Sequence, residues 1–208
     1  MEGLVERRIL PIAIERCEES PVVLLEGPRT VGKSTLLRTM AERLGGEVLD
    51  LDDLAVRAAV ARDPAMMIDG PRPVLIDEYQ HAPAVLDAIK ARLNRSSRPG
   101  QFILTGSARH ESLPRAAQAL TGRLQRLQVL PLSQAEIERS NSDLLASLLN
   151  ESEASIVSSA STTTRQDYVE RIVRGGFPLA LTARTTMARS RWLDEWTRLT
   201  LERDVQEL

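Results

Sequence analysis

The stretch EGPRTVGKST, residues 26–35, holds Gly27 and Gly32 five apart, then Lys33 and Ser34. This is the spacing G-x-x-x-x-G-K-[ST]. Glycine carries a conformational cost inside helices and strands, so such a run needs a reason. Without side chains, successive backbone N–H groups turn inward on a polyphosphate. A helix beginning near Lys33 would aim its positive end at the same charge. Lys33 is a flexible point cation suited to β- and γ-phosphate oxygens, and the Ser34 hydroxyl suits Mg²⁺. The expected cradle runs through Gly27, Pro28, Arg29, Thr30, Val31, Gly32, Lys33, Ser34 and Thr35.

A second stretch, VLIDEYQ, ends an apolar run in Asp77 and Glu78. Asp77 fits a carboxylate that holds a Mg²⁺ hydration shell. A neighbouring carboxylate, Glu78, suits a general base that polarises a water. A kinase does not need to activate water, so Glu78 favours hydrolysis. The plainer alternative is that the pair caps the next helix. In ILTGSAR, Thr105 and Ser107 fall at the C-terminal end of a strand, the edge where open α/β sheets bind ligands. Either hydroxyl could sense a γ-phosphate or place a water. Arg123, in TGRLQR, stands just before a further strand and could neutralise charge in the transition state, from its own chain or a neighbour. A surface arginine is the simpler alternative. Asp52 and Asp53 read as helix-capping residues that could also approach the metal's water shell. His81 reads as a polar residue at a helix entry and His110 as an exposed loop residue.

These residues need a scaffold with one common edge. VVLLE (22–26), EVLDL (47–51), PVLID (73–77), QFILTG (101–106) and RLQRLQVLPL (123–132) read as strands. Helices are expected between them: STLLRTMAERLG, DDLAVRAAVARDP closing before Pro64, APAVLDAIKARLN with Pro83 in its first turn, and a short one in LPRAAQALTG. Alternating strands and helices predict an α/β fold with a mostly parallel five-stranded sheet flanked by helices. After Leu132 the composition turns to Ser, Thr, Asn and Glu, with a short helix near 142–149 and an exposed linker over 150–163. Thr164 and Asp167 then fit a capping box. A final helix over about 186–207 carries Trp192 and Trp196, most simply as packing residues. The expected organisation is a core over 1–138, a Ser/Thr-rich linker over 139–164 and a helical segment over 165–208.

Composition narrows the classes. In 208 residues, 42% are hydrophobic and 27% charged, the balance of a globular domain. Basic and acidic residues number 27 and 29, a net charge of -2, and 3% are aromatic. That disfavours tight nucleic-acid binding by counterion release or base stacking. One cysteine, Cys17, excludes an internal disulfide and fits a reducing compartment. No signal peptide or membrane-length apolar run stands out, so a cytoplasmic location with no membrane partner is expected.

The set GPRTVGKST, LDLDD, LIDEYQHAP, ILTGSA, TGRLQRLQVLPLSQAEI, GGFP and LERDVQEL resembles the prokaryotic AAA-fold P-loop ATPases with a C-terminal domain of unknown function. They sit among the AAA and STAND-like ATPases with an extra catalytic glutamate. The resemblance covers nearly the whole chain. It implies a Walker-B strand that is not adjacent to the P-loop strand. It implies Lys33, Ser34, Asp77 and Glu78 in the roles above, Ser107 or Thr105 as sensor, and Arg123 as a finger-like arginine. Gln80 would support these groups rather than touch the nucleotide. Members usually continue past LERDV into the C-terminal domain, so a chain ending there reads as truncated before it. ATP is favoured by the resemblance and by the lack of an N-K-x-D guanine-reading motif. The expected activity is Mg²⁺-dependent ATP binding and hydrolysis, used as a conformational switch on a protein partner or through self-association. The alternatives are a small-molecule kinase and a nucleic-acid-associated ATPase.

Overall fold

A computed structural model describes residues 5–107, 120–140, 144–150 and 162–206. His110, the short helix expected in LPRAAQALTG and most of the linker stretch lie outside these residues. The chain groups into two compact units, residues 7–130 and residues 131–208 together with 1–6.

The first unit is built on five strands in the order β2-β3-β4-β1-β5. They are β1 (Val22–Gly27), β2 (Val48–Asp50), β3 (Val74–Asp77), β4 (Phe102–Ser107) and β5 (Leu124–Gln128). Every pairing is parallel. β4 lies between β1 and β3, as the resemblance implied. Among the described residues the α-helices are α1 (Ile9–Glu19), α2 (Lys33–Leu44), α3 (Leu54–Arg62), α4 (Pro64–Met67) and α5 (Ala84–Arg95), with a 3-10 turn at Tyr79–His81.

Alternation along the strands divides the core into two layers. Val22 and Leu24 of β1, Val74 and Ile76 of β3, and Phe102 and Leu104 of β4 pack with Val60, Ile68, Val85, Ile89 and Leu93 from the region of α3 to α5. The intervening Val23, Leu25, Leu75 and Ile103 are also buried. α1 and α2 pack against the sheet, bringing Leu10, Ala13, Leu36, Leu37 and Met40 into the interior. β1 is therefore a central strand buried on both faces, which is why its sequence is a continuous apolar run rather than an alternating one. Such a strand tolerates little movement, and its last residue begins the glycine loop.

Local signals set the element ends. Asp53 caps α3 by accepting from Ala55 N at 2.7 Å and Val56 N at 3.3 Å. Gly45 and Gly46, at φ 77° and 105°, end α2. The fifth strand is shorter than the stretch 123–132 expected for it. After Gln128 the chain makes one further bond to β1, Val129 N to Glu26 O at 2.7 Å, and then leaves the sheet. Pro131, with no N–H to give, follows.

The second unit is helical. Among the described residues its elements are α6 (Gln134–Ile137), α7 (Leu144–Asn150), α8 (Arg165–Arg174), α9 (Pro178–Leu181) and α10 (Thr186–Gln206). The Thr164–Asp167 capping box is present, and a second one joins Ser133 and Glu136. Phe177 packs its ring against Trp192 and Trp196, with centroids 5.7 and 4.7 Å away. Both tryptophans are thus partners of the phenylalanine in GGFP.

Candidate functional site

The glycine loop joins β1 to α2. Gly27 ends β1 directly against the chain that follows β5. A Cβ there would lie 2.2 Å from the Val129 carbonyl oxygen, so no other residue fits without displacing backbone. Thr30 and Gly32 both have positive φ, 65° and 96°. Gly32 is the N-cap of α2, and having no side chain it does not cap that end. The first-turn amides of a twelve-residue helix are therefore left for another acceptor. Ser34 and Thr35 stand in this turn, half-buried.

Lys33 is buried at the base of the loop, 4% exposed. Its Nζ donates to the carbonyls of Gly27 at 3.1 Å and Pro28 at 3.0 Å. It lies 4.0 Å from Glu78 Oε1. Burial holds the Lys33 ammonium below the usual lysine range, and the carboxylates of Glu78 and Asp77 pull the other way.

Strand register assembles the rest. Ile76 pairs with Leu104, so the next residues, Asp77 and Thr105, meet at the same edge. The fully buried Thr105 hydroxyl donates to Asp77 Oδ1 and accepts from Glu78 N at 3.0 Å. Glu78 adopts a left-handed conformation, φ 52° and ψ 52°. That is costly for a residue with a Cβ and persists where surrounding contacts impose it. Gln80 Nε2 donates to Glu78 Oε2 and reaches Ser107 Oγ at 3.4 Å. Gly106 has no side chain to oppose Tyr79, whose ring would lie 2.6 Å from a Cβ placed there. β4 brings Ser107 into line with Gly27 of the glycine loop. Lys33, Asp77, Glu78, Gln80, Thr105 and Ser107 thus form one connected cluster beside the loop.

Arg123 does not join it. Its carbonyl accepts from Val22 N and Ser20 Oγ, both at 3.1 Å, and its guanidinium donates to Asn94 Oδ1 at 2.7 Å. Val22 opens β1 and Gly27 closes it. Arg123 is therefore separated from the glycine loop by the length of that strand, about 16 Å at ~3.3 Å per residue. The reason is direction: β5 runs parallel to β1, so the residue before it lies at the opposite edge. Of the two settings expected for Arg123, its own chain or a neighbour, this placement sets it apart from its own chain's glycine loop. Asp52 also turns elsewhere, its carboxylate 3.0 Å from His81 Nδ1.

Two contacts at the loop were not foreseen. Arg7 donates to Val31 O at 2.8 Å and to Leu130 O at 2.6 Å. Arg126 donates to Oε1 of Glu26, the residue before Gly27, at 2.9 and 2.6 Å. Arg7 belongs to no motif singled out in the sequence, and Arg126 lies within TGRLQR, where only Arg123 was singled out. Among the described residues, no three His, Cys, Asp or Glu side chains converge as a metal site. The cluster fits a dication shared between a hydroxyl, water and phosphate oxygens better than one caged by protein alone.

Comparison with known proteins bears on the family and the fold. The chain is 28% identical over 207 residues to the uncharacterized proteins Mb2031c of Mycobacterium bovis and Rv2008c of Mycobacterium tuberculosis. The alignments cover 99% of this chain and 41% of each relative, so the chain spans about two fifths of their length. The Walker-type ATPase PABY2304 of Pyrococcus abyssi superposes with a TM-score of 0.56 at 15% identity, over 99% of this chain and 76% of that one. At that identity the likeness is one of fold. The AAA domain model matches residues 19–138, from the end of α1 through all five strands, and the chain belongs to that P-loop ATPase family.

Proposed function

We propose that the chain binds ATP with Mg²⁺ at the glycine loop and hydrolyses it. The observation that carries this reading is the position of Glu78. Its carboxylate lies 4.0 Å from the buried Lys33 Nζ, is held by Gln80, and follows directly on Asp77. A cation, a metal-binding carboxylate and a second carboxylate to act as base are what this reading of phosphoryl transfer to water uses.

The loop amides and the start of α2 would bind the β- and γ-phosphates. Lys33 would exchange the Gly27 and Pro28 carbonyls for phosphate oxygens, which favour its ammonium form. Ser34 and Asp77 would hold Mg²⁺, whose charge would neutralise the phosphates and polarise the γ-phosphoryl group. Glu78 orients a water and takes its proton as the water oxygen attacks the γ-phosphorus. The bond from that phosphorus to the β,γ-bridging oxygen breaks, and ADP and inorganic phosphate leave. Thr105 fixes the Asp77–Glu78 pair. Ser107, which Gln80 reaches at 3.4 Å, would report whether a γ-phosphate is present. Any contribution from Arg123 would come across a boundary between chains.

Hydrolysis by such a site yields no product of synthetic use, so its role would be to switch conformation on a protein partner or in self-association. No helix among the described residues is long and apolar enough to cross a membrane.

Glu78→Gln tests the reading, because the amide keeps the shape and removes the base. ATP binding should persist while phosphate release falls by about 10²–10⁴-fold. Phosphate release near the wild-type rate would refute Glu78 as the base and favour transfer to an acceptor other than water.

A further inference from the structure

We propose that Arg7 is a positioning residue for the nucleotide site, one that clamps the glycine loop from behind in its phosphate-binding form. This rests on the reading of that loop as an ATP cradle. Arg7 lies 24 residues before Val31 and 123 before Leu130, yet its guanidinium donates to both carbonyls, at 2.8 and 2.6 Å. The two acceptors belong to the two backbone segments that shape the cradle. Val31 is in the loop itself. Leu130 follows Val129, whose carbonyl oxygen stands against Gly27. One planar fork therefore ties the loop to the chain that backs it.

The clamp fixes an orientation. A trans peptide holds its C=O and N–H on opposite edges. With the Val31 carbonyl turned onto Arg7, the N–H of Gly32 faces away from the guanidinium. That amide sits at the N-cap of α2. Turned to the phosphate side, it adds a donor to the helix N-terminus; flipped, it would offer a carbonyl oxygen to an anion instead.

Two further features fit this role. Arg7 Nη1 lies 3.6 Å from where a Gly32 Cβ would be, so the guanidinium packs in van der Waals range of the N-cap residue as well as bonding the carbonyl before it. Thr30, one residue before Val31, is held at φ 65°. A non-glycine residue in that region needs neighbours that enforce it, and the bond at Val31 is one. Arg7 is itself anchored, because its carbonyl accepts from Leu10 N at 3.0 Å and Leu10 is buried. Lysine cannot replace such a fork, since an ammonium is a point donor without a planar pair of N–H groups.

The test measures ATP affinity by calorimetry for the whole wild-type chain, Arg7→Ala and Arg7→Lys, with thermal unfolding of each in the absence of nucleotide. Arg7→Ala should bind ATP about 10- to 100-fold more weakly, the loss expected for one or two charge-assisted bonds. Arg7→Lys should recover only part of the affinity. Millimolar guanidinium should restore binding to Arg7→Ala in a saturable way and leave the wild type unchanged, a response that a general loss of stability would not give. Wild-type affinity in Arg7→Ala would overturn the proposal. So would full recovery in Arg7→Lys, or a weakened Arg7→Ala that ignores guanidinium. If Arg7→Ala does not fold, Arg7→Lys decides alone: reduced affinity with an unchanged melting temperature supports the clamp, and unchanged affinity refutes it. A wild-type chain that binds no ATP would instead remove the cradle reading, and this proposal with it.

Discussion

Thr105→Val replaces a buried hydroxyl by a methyl of nearly the same size and leaves the packing of β4 intact. What it removes is specific. The hydroxyl donates to Asp77 Oδ1 and accepts from Glu78 N at 3.0 Å, in a site where Thr105 is wholly buried and Asp77 is 3% exposed. Water has little access to replace either bond. A hydrogen bond to a charged group contributes about 1.5–3 kcal/mol and a neutral one about 1 kcal/mol. Together they imply a loss of roughly 3 kcal/mol. For a chain of this length, each kcal/mol shifts the melting temperature by about 2–4 °C, so a fall of about 6–12 °C is expected. Function should fall as well, because Glu78 loses a contact that holds its backbone at φ 52° and so aims its carboxylate. Thr105→Ser keeps the hydroxyl and should retain most of both properties. Differential scanning calorimetry and a phosphate-release assay read the two effects. A Thr105→Val protein that melts within a degree or two of the wild type and hydrolyses ATP at the same rate would refute this account of the Asp77–Glu78 pair.

Arg123, placed at the far edge of its own sheet, should affect hydrolysis only between chains. Mixing Arg123→Ala with Glu78→Gln protein should then restore part of the phosphate release that each lacks; no gain, under conditions where the wild type is shown to associate and hydrolyse ATP, would exclude a role in trans. Cys17 is buried in α1, and burial, with Glu18 adding to it, pushes its thiol up to about 11 from an ordinary 9.0. The folded state thus favours the protonated thiol, so this group's contribution to stability is full below pH 9 and is lost as the pH rises towards 11. At pH 8 iodoacetamide should label Cys17 only in denaturant, and labelling of the folded chain at the rate of a free thiol would contradict its burial.

The fold was legible because its strands are central and buried. Runs such as VVLLE and VLID are short, apolar and rich in β-branched residues, the pattern of a strand buried on both faces. The capping signals at Asp53 and Thr164 also acted as their types predict. Long-range partners were less visible. Nothing in ILTGSAR distinguishes Thr105, bound to Asp77, from Ser107, reached by Gln80; strand register decides that. The position of Arg123 could have been anticipated, since a residue preceding a parallel strand lies at the edge remote from the strand ends that bind ligands. Arg7 could not. It is one of several arginines near the N-terminus, and its acceptors are main-chain carbonyls, which carry no residue signature.

The central claim is that the loop from Gly27 to Thr35 binds ATP through Lys33. Calorimetric titration of ATP and Mg²⁺ into the wild type and Lys33→Ala tests it most directly, with thermal unfolding of both chains as the control for folding. Among the described residues, Lys33 Nζ bonds the carbonyls of its own loop and approaches Glu78 at 4.0 Å, so the variant should remain folded. The account predicts saturable binding by the wild type and none by a folded Lys33→Ala chain. Equal binding by the two would contradict it.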